Sequence, residues 1–309
     1  MRENRRSGRT RLRPRATVAA LTAAVLVGLT AVTGCDDPST ATRSGNGRQK
    51  APRPSPSPTP VWDRSPGSLA AVGDSITRGF DACEVFADCP EVSWATGTDA
   101  EVRSLALRLL GPAAATRSWN HARTGARMAD LPGQMEAAAA RRPELVAVMV
   151  GANDACRDSP ELMTPVAEFT ESFTAAMSAL RRTAPKAQVY VSSVPDLMRL
   201  WSTGRGNPLG RQVWKLGICA SMLGDSENAG EEARLRRARV YDRVVAYNQA
   251  LKSVCAKDRR CRYDGGEVFD YRFTGRQLSP WDWFHPGRDG QQRLAEIAYR
   301  NVTSAKPPA

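Results

Sequence analysis

From residue 68 onward the chain alternates between short unbroken apolar runs and longer stretches whose apolar positions recur every three or four residues. Residues 69–72 and 145–150 are the clear runs, each followed by turn-forming residues, and residues 188–193 read as a third strand. Such runs suit strands buried on both faces. Residues 116–120 form a weaker strand pattern. Residues 101–110 place Val102, Leu105, Ala106 and Leu109 at helical spacing, and residues 126–142 are Ala-rich and helical despite Pro132 and Gly133. Helical spacing also covers 161–182, 235–256 and 287–301. Strands alternating with helices predict an α/β fold, a parallel sheet covered by helices, with ligand chemistry in the loops after the strands' C-terminal ends. Residues 196–233, which include Asp196, Trp201, Gly204, Gly206, Pro208, Gly210, Trp214 and Gly217, do not fit this rhythm. Two readings of that excursion stand side by side: a functional segment such as a lid, or a surface insertion pinned by Cys219.

The N-terminus has a different pattern. Seven arginines between Arg2 and Arg15 precede an uncharged apolar run over residues 16–34. A basic segment followed by such a run is an export signal, because positive charge resists translocation. The run ends Val32-Thr33-Gly34-Cys35, which resembles the lipobox, where the signal is removed before a Cys that then carries lipid. An uncleaved anchor is the alternative, since 19 residues nearly span a bilayer. Residues 35–67 hold Pro38, Pro52, Pro54, Pro56, Pro58, Pro60 and Pro66 among Ser, Thr, Arg and Gly, a linker composition. The expected organisation is a signal over 1–34, a lipidated Cys35 with a linker to 67, and one folded domain over 68–309. The protein is then exported and held at the outer leaflet of the cell membrane.

Composition narrows the function. The net charge of +12 falls mostly on the leader and linker, with +6 on residues 1–34 and +2 on 35–67. A nucleic-acid partner is therefore not expected. Apart from Cys35 there are six cysteines: Cys83, Cys89, Cys156, Cys219, Cys255 and Cys261. In an exported chain they suggest three disulfides. Equal spacings favour Cys83–Cys89 and Cys255–Cys261, leaving Cys156–Cys219 as the long-range link. With no C-x-x-C pair and only two histidines, a zinc site is not expected.

Those two histidines, His121 and His285, also limit the chemistry. After the first strand comes Gly73-Asp74-Ser75-Ile76-Thr77, where a serine at a strand-to-helix turn presents its hydroxyl to a cleft. After the 145–150 strand comes Gly151-Ala152-Asn153-Asp154, where an Asn amide can face developing negative charge. Near the C-terminus, Asp282-Trp283-Phe284-His285-Pro286 sets a carboxylate three residues before an imidazole. That spacing lets Asp282 accept from His285 Nδ1–H and fixes the tautomer whose Nε2 takes a proton from serine. Each motif alone has a structural reading as a turn or helix cap. Their conjunction, in this order and at loop positions, points to a serine nucleophile. His121 is the other available base, although its place beside Asn120 suits a loop-shaping role.

These motifs resemble those of the SGNH (GDSL-type) serine hydrolases. The first block is similar to Ala71-Val72-Gly73-Asp74-Ser75-Ile76-Thr77, the second to the segment 120–132 with Gly125, the third to Asn153, and the last to Asp282 and His285. Ser93-Trp94-Ala95-Thr96-Gly97 and the 125–132 stretch look closest to the phospholipase B-like branch. Ala152 stands where a Gly often precedes the Asn, a departure that matters if the position needs positive φ. The resemblance spans about residues 68–302 and implies a flavodoxin-like three-layer α/β/α sandwich. It also implies a Ser75–His285–Asp282 triad, with an oxyanion hole of Ser75 N–H, Gly125 N–H and the Asn153 amide. No metal and no organic cofactor is implied. The expected activity is ester hydrolysis, on lipid or phospholipid acyl esters or, as the runner-up, on O-acetyl groups of extracellular polysaccharide. A non-catalytic binding lipoprotein would instead lack a catalytic group. Trp94, Trp201 and Trp214 could line an acyl groove or a sugar platform, or belong to the core.

Overall fold

The computed structural model describes residues 62–308. The expected export signal, Cys35 and most of the expected linker lie outside the described residues. The chain runs β1 (Leu69–Gly73), α1 (Ser75–Arg78), α2 (Leu105–Leu110), α3 (Ala114–Arg117), β2 (Ser118–Asn120), α4 (Leu131–Ala140), β3 (Leu145–Met149), α5 (Ala152–Ala155) and α6 (Val166–Thr183). It continues through β4 (Gln188–Val191), α7 (Leu197–Gly204), α8 (Pro208–Trp214), α9 (Ala220–Leu223), α10 (Glu231–Cys255), β5 (Cys261–Tyr263), α11 (Glu267–Asp270) and α12 (Arg288–Thr303). No described helix is long and apolar enough to cross a membrane.

All strand pairs are parallel, in the order β2-β1-β3-β4-β5. This is the flavodoxin-like doubly wound order. Right-handed crossovers then fix the layers: the step from β1 back to β2 puts its helices on one face, and the steps toward β5 put theirs on the other. Accordingly α4, α6 and α10 pack side by side, while α2 packs on α12. Every residue of β1, β3 and β4 is buried, as their apolar runs demand. Larger side chains fill the layers around them, among them Trp94, Met128, Leu131, Phe169, Phe173 and Tyr247, all fully buried.

Local chemistry moves several boundaries. The helical pattern over 101–110 becomes a helix only from Leu105, because Arg103 has φ +48 and Ser104 Oγ caps the Leu107 N–H at 3.2 Å. Pro132 is accommodated in the first turn of α4, where its missing N–H has no intrahelical partner to lose. Pro165 likewise sets the start of α6, later than the apolar spacing suggests. The edge strand β5 has no counterpart in the apolar pattern, because Cys-Arg-Tyr offers no apolar run.

The six cysteines form Cys83–Cys89, Cys156–Cys219 and Cys255–Cys261. At the foot of the sheet the incoming chain is fixed twice. Trp62 Nε1–H donates to the Val302 carbonyl at 2.8 Å and the indole lies under the Arg262 guanidinium at 4.3 Å. Asp63 and the Gln188 side chain then exchange two hydrogen bonds, of 2.6 and 2.9 Å.

Candidate active site

Ser75 opens α1 directly behind β1. Asp74 holds that junction by accepting from the Ile76 N–H at 3.0 Å, and Gln134 grips both backbone polar groups of Gly73, at 2.7 and 2.9 Å. A Cβ on Gly73, whose φ is +152, would overlap the Met149 carbonyl oxygen of the neighbouring strand. Glycine is therefore the residue that lets β1 turn out toward the cleft.

Ser75 Oγ lies 3.0 Å from His285 Nε2, and His285 Nδ1 lies 2.5 Å from Asp282 Oδ2. The other oxygen, Oδ1, accepts the N–H groups of Phe284 and His285 at 2.9 and 3.0 Å. Asp282 is fully buried. Burial pushes its carboxyl up, but attraction to His285 and these hydrogen bonds outweigh it and hold the group below the usual carboxylate range. For His285 burial works downward, and the Asp282 charge outweighs it, raising the imidazole above its ordinary value. Phe80 and Phe284 meet the ring edge-on, at centroid distances of 5.1 and 5.6 Å.

The loop bearing the pair is braced on its far side. Leu278 and Pro286 bridge in antiparallel fashion, and the Ser279 N–H donates to the His285 carbonyl at 2.7 Å. Ser279 Oγ in turn donates to buried Asp81 at 3.2 Å. Burial raises the Asp81 carboxyl, with the Asp282 charge adding to it.

The loop after β3 supplies Asn153, at the start of α5. Its Nδ2 donates to the Ala126 carbonyl at 2.9 Å. This links it to the turn after β2, where Gly125 has φ +80. Positive φ falls on Gly151, at +129, while Ala152 is helical, so the Ala in that place is accommodated without strain. Next to Asn153, Asp154 receives the Met128 N–H at 2.8 Å and fastens the same two loops a second time. Burial pushes the Asp154 carboxyl up to about 6 and that of Asp74 up to about 7.

Ser75, Asn153 and His285 face one cavity of about 240 Å³. Its remaining wall is mostly apolar: Ile76, Leu197, Leu200, Ile218 and Phe284, with the Cys156–Cys219 disulfide at the side. The excursion between β4 and α10 thus forms much of the wall. A larger hollow, of about 440 Å³, lies at the N-terminal ends of β3 and β4 beside Glu144 and Gln188, and none of Ser75, Asn153 and His285 lines it. Gly125 does not line the smaller cavity. It sits one residue from the carbonyl that receives Asn153.

Other sequence candidates fall elsewhere. His121 is half-buried with Nε2 enclosed and without a hydrogen-bond partner, and burial lowers its imidazole, helped by Arg141. It does not line the cavity. Nor do the three tryptophans. Trp94 is core, edge-on to Tyr190; Trp201 lies between Arg205 and Arg237, at 4.7 and 4.2 Å; Trp214 is buried against the Asp282 backbone. Among the described residues, Cys83, Cys89 and Glu91 bring metal-ligand types together, but the two sulfurs are bonded to each other. The braces Gln134, Asp81 and Ser279 have no signal in the sequence, and Trp214 shows there only as a groove or core residue, not as a brace. Each acts through a long-range bond that no local spacing announces.

Comparison with known proteins places these residues in context. The sequence model of the GDSL-like lipase/acylhydrolase family matches residues 71–293. No protein of curated function matches the chain. Among solved structures, TesA is 18% identical, with 75% of this chain and 96% of that one covered at a TM-score of 0.43. LAE5, an alpha/beta hydrolase from the metagenome of Lake Arreo, Spain, is 18% identical over 77% and 96%, at 0.47. The Clostridium thermocellum family 3 carbohydrate esterase is 14% identical over 75% and 93%, at 0.46.

Proposed function

The chain belongs to the GDSL-like lipase/acylhydrolase family, and on that basis we propose that it is an esterase that hydrolyses lipid acyl esters through an acyl-enzyme on Ser75. One observation carries the reading: the unbroken contact from Ser75 Oγ through His285 to a buried, charged Asp282, facing an apolar cavity.

Ser75 Oγ attacks the ester carbonyl carbon while His285 Nε2 takes its proton. Asp282 holds Nδ1–H, so the imidazolium that forms is stabilised where it stands. The tetrahedral oxyanion is held by Ser75 N–H and the Asn153 amide; Gly125 N–H, the third donor that the resemblance implies, lies outside the cavity lining. Collapse expels the alcohol, which leaves with the proton from Nε2. Water then attacks the acyl-enzyme, gives a proton to His285, and the carboxylic acid departs as Ser75 is reprotonated.

Cavity lining supports an acyl chain longer than acetyl. Leu197, Leu200, Ile218 and Phe284 present hydrocarbon where an O-acetyl esterase would need polar groups for the sugar. At about 240 Å³ the space suits one acyl chain and not a whole two-chain lipid. The lipobox-like Cys35 supports export and tethering to a membrane, and three disulfides accord with an oxidising compartment.

A series of p-nitrophenyl esters from acetate to palmitate tests the substrate class. kcat/KM rising beyond acetate supports lipid acyl esters, whereas activity confined to acetate and to acetylated polysaccharide favours the carbohydrate reading. Fluorophosphonate labelling of Ser75, lost in Ser75→Ala and His285→Ala, tests the nucleophile. Radiolabelled palmitate incorporated by the intact chain but not by Cys35→Ser tests the anchor.

A further inference from the structure

The excursion between β4 and α10 touches the catalytic loop as well as the cavity. Its helix α8 ends on Trp214, a buried residue whose Nε1–H donates to the backbone carbonyl of Asp282 at 2.7 Å. The next residue, Trp283, has φ +53, a left-handed conformation that bulky residues adopt only under constraint. That turn is what lets one carboxylate collect the Phe284 N–H, the His285 N–H and His285 Nδ1 within three residues.

Three glycines close around Trp283. A Cβ on Gly204, at the end of α7, would overlap the Trp283 carbonyl oxygen. On Gly210, within α8, it would lie 2.8 Å from the Trp283 Cβ, and on Gly275 it would lie 2.9 Å from the indole ring. Absence of side chains at these three positions is therefore what admits Trp283 in its left-handed form. The segment carrying Gly204, Gly210 and Trp214 also carries Leu197, Leu200 and Ile218 of the cavity wall. It is fastened at its far end by Cys156–Cys219 and by buried Arg237, which donates to the carbonyls of Asp225 and Asn228 at 2.7 and 2.9 Å.

We propose that Trp214 is a positioning residue for catalysis: its indole N–H, together with the glycine cradle around Trp283, holds the strained turn that presents the Asp282 carboxylate to His285. The role rests on the reading of Ser75, His285 and Asp282 given above. Trp214 acts through Asp282 and touches neither substrate nor the reacting atoms. It also joins the acyl wall and the Asp282 carboxylate into one body.

Trp214→Phe keeps the aromatic bulk and removes the donor. With p-nitrophenyl butyrate, kcat should fall between about tenfold and a hundredfold while KM stays close to wild type, since misplacement of a catalytic group by about 1 Å costs on that scale. The acidic limb of kcat/KM provides the readout that loss of packing alone would not move. His285 is held up chiefly by Asp282, with the Asp81 and Asp74 carboxylates the other charges facing it. Loosening Asp282 should move that limb to lower pH. Gly210→Ala, which presses on Trp283 and leaves the indole donor in place, should give the same pair of changes and serves if Trp214→Phe does not fold.

Wild-type kcat and an unmoved acidic limb in the folded variants would overturn the positioning role, as would a fall in kcat with the limb unmoved. Ser75→Ala run beside them separates the two levels. Activity surviving in Ser75→Ala overturns the serine mechanism itself. Activity lost there, with Trp214→Phe like wild type, overturns only the role of Trp214.

Discussion

Asn153 donates its side-chain N–H to the backbone carbonyl of Ala126 at 2.9 Å, tying the loop after β3 to the loop after β2. One amide hydrogen is fixed by that bond, which sets the plane of the amide and leaves its second hydrogen for the cavity. An oxyanion donor works by being oriented before charge develops, so this bond is part of the catalytic arrangement.

Replacing Asn153 by Ala should therefore lower kcat by about a hundredfold or more. Melting temperature should change little, because Asp154 still fastens the same loops through the Met128 N–H. Steady-state kinetics beside thermal unfolding checks both halves; near-normal turnover would remove Asn153 from the mechanism.

The pH profile follows from the imidazole. Hydrolysis needs neutral His285, and Asp282 raises its pKa, so the acidic limb of kcat/KM should lie above the ordinary histidine value of about 6.5. Asp282→Asn should lower kcat by about a thousandfold to ten-thousandfold and carry the limb to lower pH. A limb that stays put in Asp282→Asn would show that another charge holds the imidazole up.

Asp74 predicts a pH effect on stability. Burial lifts its folded pKa to about 7, so the folded state binds a proton more tightly than the unfolded chain does. Stability from this group is full at pH below its unfolded value, near 4, and is lost as pH rises through about 7. Asn keeps the cap acceptor for the Ile76 N–H without the charge. Urea unfolding of Asp74→Asn at pH 5 and pH 8 should show a smaller difference between the two than wild type.

The long-range disulfide has a measurable share in stability. Cys156 and Cys219 are 63 residues apart, and closing a loop of that length stabilises by about 4 kcal/mol in the chain-entropy account. A Cys156→Ser, Cys219→Ser double variant should unfold at markedly lower urea. It should also lose discrimination between acyl chains, because the bond stands in the cavity wall.

Ile218→Trp would fill the cavity from the excursion side. kcat/KM for octanoate should fall by at least about tenfold relative to acetate, the scale on which apolar pockets discriminate chain length. An equal loss on both esters would place the acyl chain elsewhere.

The sheet was legible because β1, β3 and β4 are buried on both faces, and that condition writes an unbroken apolar run into the chain. Two of the three polar motifs could be read for a related reason: those of Ser75 and Asn153 directly follow β1 and β3, so their place at the C-terminal edge comes with the strand itself, while Asp282 and His285 were legible from their own spacing. The excursion shows in the sequence as a break in rhythm, open to reading as a functional segment or as a pinned insertion. What it does depends on Trp214 meeting Asp282, 68 positions away, and on glycines whose neighbour is Trp283. Neither has a local signature. The tryptophans show the limit from the other side, since the indole N–H that matters bonds a backbone carbonyl, and a carbonyl has no letter in a sequence.

Trp62 and Asp63 enter the fold at the foot of the sheet, against Val302 and Gln188, whereas Ser75 and His285 stand at its opposite, C-terminal edge. Anything joined ahead of Trp62 is therefore attached at the pole farthest from the catalytic mouth. A fusion partner, an affinity tag or an immobilising surface coupled there leaves the entrance unobstructed. The molecule comes with a built-in handle, held to the foot of its sheet by the bonds of Trp62 to Val302 and of Asp63 to Gln188.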